Sequence, residues 1–221
     1  MRRRLRLQAL SPVATVLVTG SDTGVGKTRV AGWVARALAA SGSVRVIKPV
    51  ESGAGQGRPS DAPAAAGDWA AAHTLVSLPL PLAPLAAAAA AGVRLSLSLL
   101  LDRLAALPPS DHRVIEGAGG VAVPIDPSGK DWADFAAAVR PDLVVIVVED
   151  RLGAINQARL ASDYLLARFP KGRIALWLNA ASRPCDLAVA RSNREGLAAA
   201  GLRLAGESDF NAVSPGRIDL P

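Results

Sequence analysis

Two rhythms of apolar and polar positions alternate along this chain. Thr15–Thr19 is a short β-branched run and predicts a strand, and Val44–Val50 predicts a second. Between them, Gly26–Ala40 carries Val30, Val34, Ala37 and Leu38 on one face at helical spacing and is broken by Ser41-Gly42-Ser43. Glu51–Gly67 is rich in Gly, Pro, Ala and Ser and predicts a loop, followed by a short helix over Asp68–Leu75. Leu78–Pro84 is a proline-punctuated crossing segment. Leu85–Gly92 opens on an alanine run, and Ser96–Leu107 is an amphipathic helix closed by Pro108-Pro109. Arg113–Glu116, Arg173–Leu178 and Arg203–Ala205 predict strands. The continuous apolar run Leu143–Val148 predicts a strand buried on both faces. Helices are expected over Trp132–Val139, Ala154–Phe169 and Asp186–Ala200. Strands alternating with helices predict three layers around a mostly parallel sheet, where ligands sit at the carboxyl ends of the strands.

Composition supports one such domain. The chain has 221 residues, half of them apolar and a fifth charged, which excludes a disordered chain. A single cysteine, Cys185, excludes a disulfide framework and any multi-cysteine metal site, and fits a reducing compartment. The net charge is +6, but Arg2, Arg3, Arg4 and Arg6 supply four of those charges. The basic balance is thus mostly that of an N-terminal extension, residues 1–12, expected to be flexible, ahead of a domain over 13–221. That arm has no interleaved aromatics, so nucleic acid is not an expected partner. A signal peptide is rejected because the apolar run to Val18 is needed as a strand, and Pro79, Pro81 and Pro84 argue against a membrane span over Leu75–Ala91. The expected compartment is the cytoplasm.

Three motifs carry candidate chemistry, each just after a strand. Gly20-Ser21-Asp22-Thr23-Gly24-Val25-Gly26-Lys27-Thr28 is a variant phosphate loop, with five residues rather than four between Gly20 and Gly26. Small residues let backbone N–H groups face phosphate oxygens at a helix N-terminus. Lys27 would reach the β- and γ-phosphates, and the Thr28 hydroxyl would ligate Mg²⁺. This motif turns the α/β expectation into a three-layer P-loop NTPase fold. Lys48-Pro49-Val50-Glu51-Ser52-Gly53 follows, and Lys48 stands out in a chain with four lysines against twenty-one arginines. A small mobile charge at a strand end near the phosphate loop suits a reacting group. Glu116-Gly117-Ala118-Gly119-Gly120 puts an acid where a nucleotide hydrolase keeps its magnesium carboxylate, with glycines that let a ligand approach the backbone.

In this order the motifs resemble those of dethiobiotin synthetase, which carries G-[TS]-D-T-x-V-G-K-T, K-P-V-x-[ST]-G and E-G-A-G-G. The resemblance extends through Leu152-Gly153-Ala154-Ile155-Asn156 to Asn179, covering roughly residues 14–210. It implies that ATP, CO₂ and 7,8-diaminononanoate react with Mg²⁺ as cofactor to give dethiobiotin, ADP and phosphate. It further implies that Lys48, Lys27 and Thr23 are catalytic. Thr23 and Ser52 would meet the substrate, as would Gly153, Ala154, Ile155 and Asn156, which the family takes from the neighbouring subunit of a homodimer. ATP would lie against Gly24, Val25, Gly26, Lys27, Thr28, Arg29, Asp61, Glu116, Gly117, Ala118, Gly119, Asn179, Ala180 and Asp209, with Asn179 reading the adenine edge. Mg²⁺ would be held by Thr28, Glu116 and one aspartate. Asp61, in Ser60-Asp61-Ala62, matches the family best, and Asp68, at an expected helix N-cap, is the rival. Two departures bear on the base: Ala180 stands where an acid is common, and Gly206-Glu207-Ser208-Asp209 lacks the family's proline.

His73 and His112 stand apart from any metal-spaced cluster and are expected to be structural or at the surface. Cys185 has no evident base partner. Trp33, Trp69, Trp132 and Trp177 are expected to pack rather than stack on a base. Two other classes remain open on these motifs: a partition- or septum-site-type ATPase switch, and another small-molecule P-loop ligase or kinase.

Overall fold

In a computed structural model the described residues are 14–218 and 220, apart from 56 and 58. The expected arm over residues 1–12 lies outside them. The chain alternates β1 (Ala14–Gly20), α1 (Lys27–Leu38), β2 (Val44–Ser52), α2 (Asp61–Ala66), β3 (Ala71–Leu78), α3 (Pro84–Ala90) and α4 (Leu97–Ala105). It continues with β4 (His112–Glu116), α5 (Trp132–Val139), β5 (Leu143–Glu149), α6 (Ala154–Arg168), β6 (Ile174–Asn179), α7 (Leu187–Ala199), β7 (Leu204–Ser208) and β8 (Arg217–Ile218). The sheet order is β3-β2-β4-β1-β5-β6-β7-β8. Every pairing is parallel except that of β7 with β8. The fold is the expected three-layer α/β arrangement.

Strand alternation sorts the core into two layers. Leu17, Ile47, Ile115, Val144, Ile146 and Val148 face one layer, covered chiefly by α4, α5 and α6. Val16, Val18, Val46, Val114, Val145 and Val147 face the other, beneath α1 and α2. The two-sided burial of Leu143–Val148 accounts for its unbroken apolar sequence.

One expected element is wrong. No helix forms over Asp68–Leu75; residues 71–78 are β3, paired in register with β2 so that Val50 meets Val76. The helix instead lies inside the expected loop, as α2. At the sheet edge β3 buries only part of its length, so its first half shows no apolar alternation. The antiparallel β8 was also not anticipated.

Candidate functional site

Parallel strands deliver their following loops to one edge of the sheet, and the central strands β1, β2 and β4 converge there. The loop after β1 turns into α1 through Gly24 and Gly26, with φ of 78° and 91°. Such angles favour glycine, and at Gly26 a Cβ would lie 2.1 Å from the Asn179 Nδ2. The loop is fastened on both sides: the Ser21 N–H donates to the Val147 carbonyl at 2.9 Å, and the Val121 N–H donates to the Gly20 carbonyl at 2.9 Å. The second contact lays the Gly117–Gly120 turn against the phosphate loop, where a Cβ on Gly120 would meet the Ser21 carbonyl oxygen at 3.0 Å. Trp132 holds that turn from α5, its Nε1–H donating to the Ala118 carbonyl at 2.7 Å.

Lys48 leaves β2 at this edge almost fully buried. Its Nζ lies 2.7 Å from both Glu116 Oε1 and Asp61 Oδ2 and 3.3 Å from the Gly117 carbonyl oxygen. Burial alone would depress the ammonium, but the carboxylates of Glu116 and Asp61 hold it above the ordinary lysine range. The Thr28 hydroxyl donates to the same Glu116 Oε1 at 2.8 Å. Lys27 folds back onto its own loop, donating to the Asp22 carbonyl at 2.8 Å. Burial, helped by the nearby Lys48 charge, lowers Lys27 to about 8. Two lysines, two carboxylates and a hydroxyl thus share one buried corner beside a glycine-rich loop.

The structure separates the two rival aspartates. Asp61 begins α2 beside Lys48, whereas Asp68 is exposed in the turn after α2 and caps no helix. The residue that places Asp61 is Glu51, which sequence reasoning passed over. Buried in β2, Glu51 accepts from the Asp61 N–H at 2.8 Å, from the Thr74 hydroxyl at 3.3 Å and from the Ser60 hydroxyl. The signal was present: an acid inside a strand expected to be buried needs partners.

The donors at this corner suit Mg²⁺. Thr28, Asp61 and Glu116 offer hard oxygens, and Glu116 Oε2 is buried without a hydrogen-bond partner. Among the described residues no cluster of three His, Cys, Asp or Glu exists.

Other expected site residues fall into four groups. Ser52 ends β2 with its hydroxyl buried and unpartnered, and Thr23 is exposed at the loop's crest. Gly153, φ 94°, caps α6, and Gly153, Ile155 and Asn156 line an open groove of about 560 Å³ with Arg159, Leu160 and Asp163. The structure therefore places Gly153, Ile155 and Asn156 on a groove of their own, to which Lys48 does not contribute, while Ala154 is fully buried. Asn179, Ala180 and Asp209 lie toward the β6–β7 side. Asn179 has no exposed surface, Ala180 is buried and donates to the Ser208 carbonyl at 2.9 Å, and Asp209 is exposed. Arg29 stands over Trp33 at 5.9 Å with its Nη1 buried and unpartnered.

The family profile described as an AAA domain matches residues 14–177. The ATP-dependent dethiobiotin synthetase of Anaeromyxobacter sp. (strain Fw109-5) is 38% identical over 160 residues, covering 69% of this chain and 71% of that protein. The synthetase of Xanthomonas oryzae pv. oryzae (strain PXO99A) is 43% identical over 161 residues, covering 68% and 71%. This chain belongs to the dethiobiotin synthetase family. Among solved structures, a plasmid partition protein from Borrelia burgdorferi superposes with a TM-score of 0.56 at 14% identity, covering 89% of this chain and 90% of that one. A ParA family ATPase from Chlorobium tepidum gives 0.55 at 15%, covering 90% and 85%. These likenesses concern the fold, which is that of the P-loop NTPases.

The remaining residues are structural. His112 is buried against the Ser41 hydroxyl at 3.1 Å, and His73 meets Arg45. Trp33 stacks on Trp177, Trp132 meets Phe135 edge to face, and Trp69 is half exposed beneath Arg36. No helix among the described residues is long and apolar enough to cross a membrane.

Proposed function

We propose that this protein converts 7,8-diaminononanoate, CO₂ and ATP into dethiobiotin, ADP and phosphate. The observation that carries this is Lys48, a buried ammonium between Glu116 and Asp61 and next to Thr28, at the mouth of a phosphate loop. One substrate amine adds to CO₂ and loses a proton, giving a carbamate. A carbamate oxygen attacks the γ-phosphorus and ADP departs. The second amine attacks the carbonyl carbon of the mixed anhydride, and phosphate leaves as the cyclic urea closes.

Each anion in this sequence needs an opposing charge in place beforehand, because a carbamate and a triphosphate repel. Lys27 gives up the Asp22 carbonyl to meet the β- and γ-phosphates. Lys48 sits across from it, where it bridges carbamate and γ-phosphate. Mg²⁺, held by Thr28, Asp61 and Glu116, supplies further positive charge against the phosphates. Amide hydrogens of Gly24–Thr28 cradle the triphosphate, and Arg29 borders it from the first turn of α1. Gly117, Ala118 and Gly119 line the same cleft, with Ala180 and Asp209 toward the base. Thr23 and Ser52 face the diamine. Gly153–Asn156 of a second copy of the chain, at a helix N-terminus that no side chain caps, receives the substrate carboxylate, so the working unit is a homodimer, and its compartment is the cytoplasm.

The test is phosphate release with bicarbonate, with and without the diamine. Release that depends on the diamine, and that Lys48→Ala abolishes while nucleotide still binds, is the expected result. ATP consumption indifferent to the diamine would overturn it, and recruitment to DNA or lipid on ATP addition would favour the switch-type reading.

A further inference from the structure

The Gly117–Val121 turn is tied to β1 at both ends. The Gly117 N–H donates to the Val18 carbonyl at 2.9 Å, and the Val121 N–H donates to the Gly20 carbonyl at 2.9 Å. Among the described residues the Ala118–Gly119 peptide between them has one hydrogen-bond partner, Trp132 of α5, whose Nε1–H donates to the Ala118 carbonyl at 2.7 Å. Glycine at 119, with a φ of 70°, would otherwise leave this peptide free to flip, reversing its carbonyl and its N–H together. The donor is itself firmly set. Trp132 is fully buried and meets Phe135 edge-on, ring centroids 5.5 Å apart. It opens α5, whose first turn is closed reciprocally: the Asp131 carboxylate accepts from the Ala133 N–H at 2.8 Å, and the Asp134 carboxylate accepts from the Asp131 N–H at 3.0 Å. The Tyr164 hydroxyl of α6 also donates to Asp131. A Cβ on Gly117 would come within 3.3 Å of the indole, so glycine there admits the ring.

In a trans peptide the carbonyl and the N–H point in opposite directions. Trp132 packs in the layer that holds Ile47 and Ile115. Lys48 and Glu116 directly follow those two residues on their strands, so they face the opposite layer, that of α1. A carbonyl drawn toward the indole therefore turns the Gly119 N–H toward the side of Lys48, Glu116 and Thr28, where it donates to no described residue. We propose that Trp132 is a positioning residue: its indole N–H locks the Ala118–Gly119 peptide so that the Gly119 amide hydrogen stands ready as a donor to the terminal phosphate of a bound triphosphate. Lys48 donates to the adjoining Gly117 carbonyl at 3.3 Å, which puts this donor at the γ end of the phosphate chain, away from the base. The inference rests on the nucleotide-binding part of the reading above.

Trp132→Phe keeps an aromatic ring against Phe135 and deletes the N–H. The test compares calorimetric affinities of the full chain, with Mg²⁺, for the β,γ-imido analogue of ATP and for ADP. The variant is expected to bind the analogue about tenfold more weakly, the scale of one hydrogen bond left unmade, and ADP within about twofold of the parent. Equal losses for both ligands, or a lower melting temperature with both affinities kept, are what a purely structural indole gives, and either would overturn the proposal. Where Trp132→Phe does not fold, the parent carries the test, grown with tryptophan labelled at the indole nitrogen and its signals sorted by phenylalanine variants of Trp33, Trp69 and Trp177. An anion on the Gly119 N–H polarises the peptide and strengthens the bond at its carbonyl. The Trp132 signal should therefore move downfield with the analogue and stay in place with ADP. A signal indifferent to the analogue, or moved equally by both ligands, refutes the brace. A parent that binds neither nucleotide sinks the nucleotide reading along with the brace, whereas intact binding with an unchanged ratio in Trp132→Phe sinks the brace alone.

Discussion

Replacing Lys48 by methionine keeps the length and apolar stem of the side chain and deletes only its charge. Lys48 and Glu116 are 3% and 1% exposed, so the change strands a carboxylate in the interior with the Thr28 hydroxyl as its remaining polar contact. Breaking one partner out of a buried ion pair typically costs about 3–5 kcal/mol. Asp61 adds little to that figure, because its side chain is 39% exposed and water screens it. At about 2–4 °C per kcal/mol for a domain of this size, Lys48→Met should melt roughly 6–20 °C below the parent. The double variant Lys48→Met/Glu116→Gln removes the stranded charge and should regain most of that loss, although neither variant should turn over. Thermal melts followed by circular dichroism, alongside phosphate release, give both halves of the prediction. Melting of the single variant within about 2 °C of the parent would refute the energetic reasoning, as would a double variant no more stable than the single.

Lys27 predicts a pH dependence. Its folded value of about 8 lies below the model-peptide 10.5, so the folded protein sheds this proton first, and this group makes stability rise as pH climbs from about 8 to 10.5. Nucleotide binding runs the other way: it needs the ammonium, so affinity for ATP should fall above about pH 8 with proton uptake on binding, visible as a buffer-dependent calorimetric enthalpy; flat affinity from pH 7 to 9.5 would contradict it. Glu51→Gln trades one charge-assisted acceptor for an amide at the start of α2, and should lower stability by about 1–3 kcal/mol and phosphate release by at least about tenfold, with Asp61 no longer held at Lys48; unchanged turnover would show that α2 holds itself. Gly26→Ala forces a methyl into the Asn179 amide at a φ of 91°, so tripolyphosphate binding should vanish while the sheet still forms; retained binding would mean that the loop relaxes freely.

Legibility in the sequence tracked how locally each element is determined. The strands β1, β2, β4, β5 and β6 announce themselves because each is buried along most of its length by its own apolar residues. Edge strand β3 begins Ala-Ala-His-Thr, half exposed, and its identity rests on pairing with β2. Helix α2 is six residues, too short for any periodicity to register, and it is anchored by Glu51 from another element. The site divides the same way. Gly20–Thr28, Lys48 and Glu116 are legible because backbone curvature and strand-end position demand those residue types. The choice between Asp61 and Asp68 is not, because it depends on where α2 begins. Asn179 was legible as a residue at a strand end, but its engagement with Val25 and Ser208 required the register of β6 against β7.

A shared scaffold cannot by itself separate a switch from a ligase, since the plasmid partition protein and the ParA family ATPase share this fold. What differs must lie in side chains at the strand ends. A switch has to hold a triphosphate and respond to the loss of its last phosphate, and amide hydrogens with one lysine suffice for that. A ligase has to press a second anion against the γ-phosphate. In the function proposed above, Lys48 answers that need. Burying an ammonium with Glu116 and Asp61 is an expensive arrangement that a well-packed apolar cluster would outperform on stability alone. Under the proposed function that charge has a second employment, when an incoming anion draws the ammonium away from its carboxylates. On that reading the pairing of Lys48 with Glu116 and Asp61 is a resting position, and the carboxylates it leaves behind are the oxygens that a divalent cation would take over.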